Sequence, residues 1–517
     1  MFEESLGDLF RKSFLTHKKN NAITFLRNGK VETEISYIEL DRHTNRMAHG
    51  FQTLGIKKGD RVILFIQKSL FLVVSHLALQ KLGAVSVPLN PGFKKSEMKY
   101  LILDAKAKAI LSEPAKEALI RDIDPNLTNL VIDSQKPYHD IDIFNVISEK
   151  FIPNKIKSDD PGLIIYTSGT TGKPKGAILT QKNLIHNVRN IINIWEITNS
   201  DVLCHALPLF HIHGLCFALH TALMAGSVVL MLDEFSPDRI LSVLGKEHRQ
   251  YITTIFMAVP AMYVKLLNNV GEKKLDFEHL RLCTSGSAPL LPKDFKRIKR
   301  VFGKEPVERE GMSETGMNFS NPLKGKRKPG SIGLPLPDLE VKIVDPNTFE
   351  VMPQGQQGEI WLNGPAITSG YWRKQEETAL AFDNGWFRTG DIGRIDEDGY
   401  YYLTDRIKHI INSGGENMSP KEVEILINRI GDVVESSVVG IPDEKWGEKV
   451  VAAVVLKPGS MVKSDDIKKF CNDHLHSWKC PKEVVLPKKL PKNTMGKILK
   501  ESVKKLFNGQ TTQVAHL

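Results

Sequence analysis

Residues 166–176 read Tyr-Thr-Ser-Gly-Thr-Thr-Gly-Lys-Pro-Lys-Gly. Gly169, Gly172 and Gly176 can take backbone angles that a side chain forbids, so successive N–H groups can converge on one anionic oxygen. Thr167, Ser168, Thr170 and Thr171 add hydroxyl donors, and Lys173 and Lys175 add positive charge. Pro174 stiffens the far end. Together these residues make a phosphate cradle. The spacing GxxxxGK[ST] is absent, because Lys173 is followed by Pro174 and the first glycine lies too close, so a GTPase of that type is excluded.

Three further segments carry chemistry at a distance in sequence. In Gly-Met-Ser-Glu-Thr-Gly (311–316), Glu314 offers a hard carboxylate oxygen after a glycine turn, suited to magnesium beside phosphates. Asp391 ends the run WFRTGD and can accept hydrogen bonds from two neighbouring hydroxyls. Lys497 follows Gly496 in LPKNTMGKILK, where a cation can offset charge developing at a reaction centre. Taken singly, each has an ordinary alternative: a surface turn acid, a surface ion pair, or one lysine in a basic tail.

The run 166–176, followed in order by CTSGSAPL (283–290), GMSETG, TGD (389–391), DRIK (405–408) and LPKNTMGKILK, resembles the adenylate-forming superfamily of acyl-CoA synthetases, peptide-synthetase adenylation domains and firefly luciferase. The resemblance spans roughly residues 20–505. It implies two steps: ATP and a carboxylate give an acyl-adenylate and pyrophosphate, then a thiol such as that of CoA displaces AMP. It implies that the loop at 167–175 holds the phosphates, that Thr167 and Glu314 hold Mg2+, and that Gly286, Ser287, Ala288, Gly311, Met312 and Ser313 surround the nucleotide. Asp391 and Arg406 would meet the ribose, and Lys497 would act at the α-phosphate. Lys408 would be the hinge about which a C-terminal domain turns, bringing Ser413, Gly414 and Gly415 toward the pantetheine.

The segments PLFHIHGL (208–215), SGSAPLL (285–291), GMSETGMNFSNP (311–322) and KPGSIGLPLP (328–337) resemble the malonyl-CoA synthetase branch. That branch implies a small dicarboxylate, with His211, Ser287 and Met317 at the acid and a cation for its second carboxylate. In PAMYVKLL (260–267), Lys265 stands where the branch has an arginine, keeping the charge and losing the bidentate fork. A second departure is Glu310, which occupies the place of an aromatic ring that stacks on adenine; a carboxylate cannot stack. Short- or medium-chain monocarboxylates, a carrier-protein thiol as acceptor, and a weakly active nucleotide or acyl binder are the alternatives.

These residues need a scaffold of more than one core, as 517 residues imply. The net charge of +10 is spread along the chain without the aromatic–basic interleaving of a nucleic-acid module, so it suits ATP and CoA as polyanionic substrates. Five cysteines without a CxxC pair point to a reducing, cytoplasmic setting. The N-terminus lacks a secretory core. The apolar stretches 70–82 and 216–232 read as buried helix and helix-to-strand core rather than membrane spans.

Continuous apolar runs at 61–66 and 84–89 alternate with helical spacing at 69–82 and 96–104, which predicts a doubly wound parallel α/β sheet. After about residue 330, short strands at 340–344, 358–362 and 400–403 predict a β-rich subdomain. Ser419 caps a predicted helix starting at Pro420, and strands at 434–441 and 450–456 belong to a small α+β unit. The expected division is a large domain at 1–405 and a mobile one at 406–517, in a monomer or homodimer.

Overall fold

The structure, a computed structural model, describes residues 4–140, 148–167, 173–245, 250–413, 416–443, 446–493 and 496–507; of Lys408, Glu416 and Asn417 only the backbone is described. The chain forms two compact units, residues 1–340 with 362–387, and residues 341–361 with 388–517. The architecture is mixed α/β, with large sheets in the first unit and a smaller C-terminal part, as the apolar patterning predicts.

In the first unit, the strand Arg61–Phe65 pairs in parallel with Val85–Pro88 on one side and Ala109–Ser112 on the other. Parallel neighbours need crossover connections, and the helices Leu70–Leu82 and Lys95–Ala105 supply them. Ser69 caps the first of these by accepting from the N–H of Leu72, and Gly83 ends it in the left-handed conformation. Every residue of Leu70–Leu82 is buried, which explains a hydrophobicity that imitates a membrane span. Among the described residues no helix is long and apolar enough to cross a membrane.

The six-stranded sheet ends in a hairpin. Pro161–Thr167 runs antiparallel to Lys175–Thr180, with Tyr166 opposite Gly176 and Thr167 opposite Lys175. The phosphate-loop sequence therefore joins two hydrogen-bonded strands, whereas the Walker arrangement passes from strand to helix.

The nine-stranded sheet of the same unit places Val307–Met312, Leu282–Ser285, Ile255–Ala258 and Val202–His205 side by side and in parallel. In open α/β sheets the carboxyl ends of such strands are where ligands bind. The segment 213–220 is wound as a π-helix before an α-helical turn at Thr221–Ala225 and the strand Val228–Leu232. The helix-to-strand reading of 216–232 holds, but the wide winding leaves no mark on the apolar pattern. π-Winding within helices is rare and recurs at functional sites.

In the second unit, Trp386–Ile395 pairs with Tyr401–Arg406, and the long hairpin Val433–Asp443 with Gly447–Leu456 forms the core of a C-terminal sheet. Ser419 caps the helix Pro420–Ile427 as expected, its hydroxyl accepting from the N–H of Lys421.

Candidate active site

The strand Val307–Met312 and its antiparallel return Gly316–Ser320 form a hairpin that carries two groups of polar side chains. Glu314 lies at its tip. The carboxylate receives the hydroxyls of Thr167 at 3.3 Å and Tyr371 at 3.2 Å, both on Oε1, while its backbone carbonyl accepts from the N–H of Thr368 at 2.6 Å. Thr167 and Glu314 are 147 residues apart in sequence and meet as the resemblance implies. Lys175 extends over the ring of Tyr371 at 5.3 Å, so an ammonium, two hydroxyls and a carboxylate converge beside the hairpin of the phosphate-loop sequence. Gly316 has φ +73°, and a Cβ there would meet Nδ2 of Asn187 at 2.4 Å; only glycine turns the chain this close to that side chain.

Hydroxyl and carboxylate oxygens are the ligand set of a hard divalent cation. Among the described residues no group of three or more His, Cys, Asp or Glu side chains is arranged to hold a metal ion. One carboxylate with hydroxyl neighbours suits Mg2+ held jointly by protein and substrate phosphates.

The second group lies further back on the same hairpin. Arg309 is 3% exposed, and among the described residues none of its guanidinium nitrogens has a hydrogen-bond partner. Its Cζ sits 5.2 Å from the ring centroid of Phe217, on the π-wound segment. A Cβ on Gly286 would meet the guanidinium at 2.6 Å, so the glycine of the SGSAP run makes room for the arginine. Burial pushes the Arg309 pKa down to about 10, against the pull of the Glu310 carboxylate, which leaves it charged at neutral pH.

Around Arg309 are histidines kept neutral. Burial depresses His205 to about 3 and His211 to about 4. His213 is lowered by burial and further by the charge of Arg309. Nδ1 of His213 lies 3.3 Å from the hydroxyl of Ser287, a residue at φ +68°. Several buried atoms here have no hydrogen-bond partner among the described residues: Nδ1 of His205, Nε2 of His211 and of His213, and the hydroxyls of Thr284 and Ser285. A buried polar atom without a partner costs about 1–3 kcal/mol, so the cluster is suited to a polar ligand or water that would satisfy it.

The other expected residues distribute as follows. Met317 is buried opposite Gly311. Glu310 is half-buried, and its Oε2 accepts from Nδ2 of Asn318 at 3.0 Å. Lys265 lies on the exposed face of the helix Pro260–Val270, its ammonium 5.5 Å from the ring centroid of Phe235. The structure does not bury it with Arg309 and the histidines. Lys173 reaches the ring of Tyr100 at 5.9 Å. Ser168, Gly169, Thr170, Thr171, Gly172, Gly414 and Gly415 lie outside the described residues, as does the side chain of Lys408.

In the second unit, Asp391 and Arg406 face each other across paired strands and form a forked ion pair, Nε to Oδ1 at 2.6 Å and a second nitrogen to Oδ2 at 3.4 Å. Arg406 thus fixes the plane of a carboxylate only 6% exposed. Ser413 is buried at the end of a short strand, its hydroxyl without a partner among the described residues. Lys497 is exposed on a tight hairpin.

Arg309, His213, Asn318 and Tyr371 are absent from the sequence-based expectation. For Arg309 a signal was present: a charged residue inside the strand run 307–312 must either face solvent or be buried for a purpose.

Residues 10–372 match the AMP-binding enzyme family, and residues 422–497 match the AMP-binding enzyme C-terminal domain. The chain belongs to the AMP-binding enzyme family. It is an AMP-forming acyl-CoA synthetase, as the hairpin, the paired motifs and the relatives agree. It is 35% identical to an oxalate–CoA ligase of Arabidopsis thaliana over 88% of this chain and 89% of that one. A mitochondrial malonate–CoA ligase of Bos taurus is 33% identical, over 87% and 82%. The crystal structure of ATP-bound MatB from Rhodopseudomonas palustris superposes with a TM-score of 0.92 at 35% identity, covering 98% of this chain and 99% of that one. Ligases named for other acids, among them a long-chain fatty acid, match at nearly the same identity.

Proposed function

We propose that the chain activates a short dicarboxylate of the malonate type with ATP and transfers the acyl group to CoA. The buried, charged guanidinium of Arg309, which has no hydrogen-bond partner among the described residues, carries this reading. An isolated buried cation is costly unless an anion joins it, and the neutral histidines around it supply hydrogen bonds without charge. A monocarboxylate brings one carboxylate, which the reaction consumes; a dicarboxylate brings a second for Arg309. Arg309, rather than the exposed Lys265, then answers the need for a cation, and it keeps the bidentate fork that lysine lacks. Two of the relatives are named for dicarboxylates, oxalate and malonate.

In this reading, ATP phosphates lie along the hairpin at 167–175, with Lys173 and Lys175 offsetting their charge. Thr167 and Glu314 hold Mg2+, which neutralises phosphate oxygens when bound. Gly286 to Ala288 and Glu310 to Ser313 line the nucleotide, and Asp391, oriented by Arg406, receives the ribose hydroxyls. His211, Ser287 and Met317 bound the acid. Lys497 stabilises the charge that develops as carboxylate displaces pyrophosphate. Residues 406–517 turn about Lys408 between the two steps, and Ser413, Gly414 and Gly415 then serve the pantetheine. Gating of this kind separates the half-reactions in time.

The test is pyrophosphate release and thioester formation with malonate, oxalate, butyrate and octanoate. The expected result is malonate turning over fastest, with CoA thioester formed. Faster turnover of butyrate or octanoate overturns the dicarboxylate reading. Release without CoA thioester points to a carrier thiol, and no release with any acid points to a binder.

A further inference from the structure

The segment around Lys497 is closed on itself. The N–H of Lys497 donates to Oδ1 of Asn493 at 2.9 Å, and the N–H of Asn493 donates back to the carbonyl of Lys497 at 2.9 Å. The N–H of Leu499 donates to the carbonyl of Pro491 at 2.9 Å, and Lys492 bridges Ile498. These bonds fix the hairpin's shape. They leave open where it is aimed, which depends on what ties its base to the body of the unit.

Lys500, three residues past Lys497, is that tie. Its side chain is only 14% exposed, and Nζ lies 3.3 Å from Oε1 of Glu424, itself 8% exposed on the helix Pro420–Ile427. The same ammonium donates to the carbonyl of Val438 at 3.2 Å, and Oε1 of Glu424 accepts from the N–H of Val438 at 3.0 Å. Helix, strand and lysine hairpin therefore meet at one buried ion pair. At the hairpin's other leg, Lys492 pairs with Glu435 at 2.6 Å.

The tie reaches the segment 405–409. Oδ2 of Asp405 accepts from the hydroxyl of Ser419 at 2.9 Å and from the N–H of Lys421 at 3.2 Å, while Oδ1 lies 3.4 Å from Nδ1 of His409. Burial pushes the Asp405 carboxyl up, but the bond with His409, the charge of Lys500 and further hydrogen bonds overcome it and hold the pKa at about 2. Lys500 is thus paired with Glu424 and contributes positive charge near the carboxylate of Asp405.

We propose that Lys500 and Glu424 are positioning residues for Lys497: their buried pair clamps the lysine hairpin to the helix and strand beneath it, so that the exposed ammonium of Lys497 is presented in one orientation. The proposal rests on the reading of Lys497 as the lysine of the adenylation step. Oε2 of Glu424 also has the Lys421 ammonium at 3.6 Å, so removing Lys500 leaves the carboxylate a cation while it frees the hairpin's base from the helix and strand, and a misplacement of about 1 Å at a reacting group costs roughly 10²-fold in rate.

The experiment compares Lys500→Met, Lys500→Arg and Glu424→Gln with Lys497→Ala and with Lys497→Ala/Lys500→Met, all as full chains. Pyrophosphate release is measured with whichever of malonate, butyrate and octanoate the wild type turns over fastest, and CoA acylation is measured separately from the synthetic adenylate of that acid. Expected are a kcat for pyrophosphate release lowered roughly 10²-fold in Lys500→Met, an unchanged KM for ATP, and CoA acylation at the wild-type rate. Lys500→Arg recovers most of the loss, and the double variant is no slower than Lys497→Ala alone. Equal losses in both half-reactions, or additive losses in the double variant, overturn the positioning role in favour of general destabilisation. Full pyrophosphate release by Lys497→Ala overturns the reading of Lys497, a separate failure that takes this proposal with it.

Discussion

The Arg309 cluster of the first unit and the lysine hairpin of the second hold a cation in opposite ways. Arg309 is buried, has no hydrogen-bond partner among the described residues, and is wedged between Phe217 and Gly286. Lys497 is exposed, and its backbone is closed by Asn493. A group that recognises a ligand can be left incomplete in the folded chain, because the ligand finishes it. The contacts that tie the hairpin of Lys497 down lie in neighbouring side chains, Lys500 with Glu424 and Lys492 with Glu435. Preorganisation therefore resides in the side chain at Arg309 and in its supports at Lys497.

Glu310 sharpens the comparison from the nucleotide side. Its carboxylate is engaged by Asn318 and interacts electrostatically with Arg309. Glu310→Tyr is expected to lower the KM for ATP roughly tenfold, since stacking an aromatic ring on a base contributes about 1–3 kcal/mol. An unchanged KM would mean that the adenine is held without a ring at this position.

The two regions also differ toward acid. His76, His205 and His211 of the first unit are lowered by burial to about 3, 3 and 4, below the usual value of about 6.5. The unfolded chain takes up these protons first. The contribution of these three histidines to stability is thus complete above about pH 6.5 and declines as pH falls through that value toward about 3 to 4. Asp405 in the second unit is held at about 2, so its contribution is complete above about pH 4 and declines only below that. Hydrogen exchange at pH 7 and pH 5, corrected for intrinsic rates, should show amides of the strand Val202–His205 losing protection while those of Val433–Asp443 keep theirs. Equal losses in both strands would contradict this difference.

Most of the frame was legible in the sequence because it is local. Ser69 and Ser419 cap the helices they precede, and continuous apolar runs gave the parallel strands at 61–65 and 85–88. The pairing of Thr167 with Glu314 was legible through motif order. The exposure of Lys265 could be read from the sequence: Met262, Tyr263, Leu266 and Leu267 form the buried stripe of its helix, and Lys265 falls off that stripe at helical period. The charge inside the strand run was legible, but the surroundings of Arg309 were not, since they depend on Gly286 and Phe217 arriving from distant segments. The π-winding at 213–220 leaves no periodic signature over so short a run.

Arg309 and Lys265 are the two cations that could meet a second carboxylate. The direct measurement is the ratio of kcat/KM for malonate to that for butyrate in wild type, Arg309→Met and Lys265→Met. In Arg309→Met the ratio is expected to fall by about 10²–10³-fold, as when a site's charged partner is removed from a buried ligand group, and in Lys265→Met to stay within about twofold, as for an exposed charge. A ratio that holds in Arg309→Met and collapses in Lys265→Met would contradict the account.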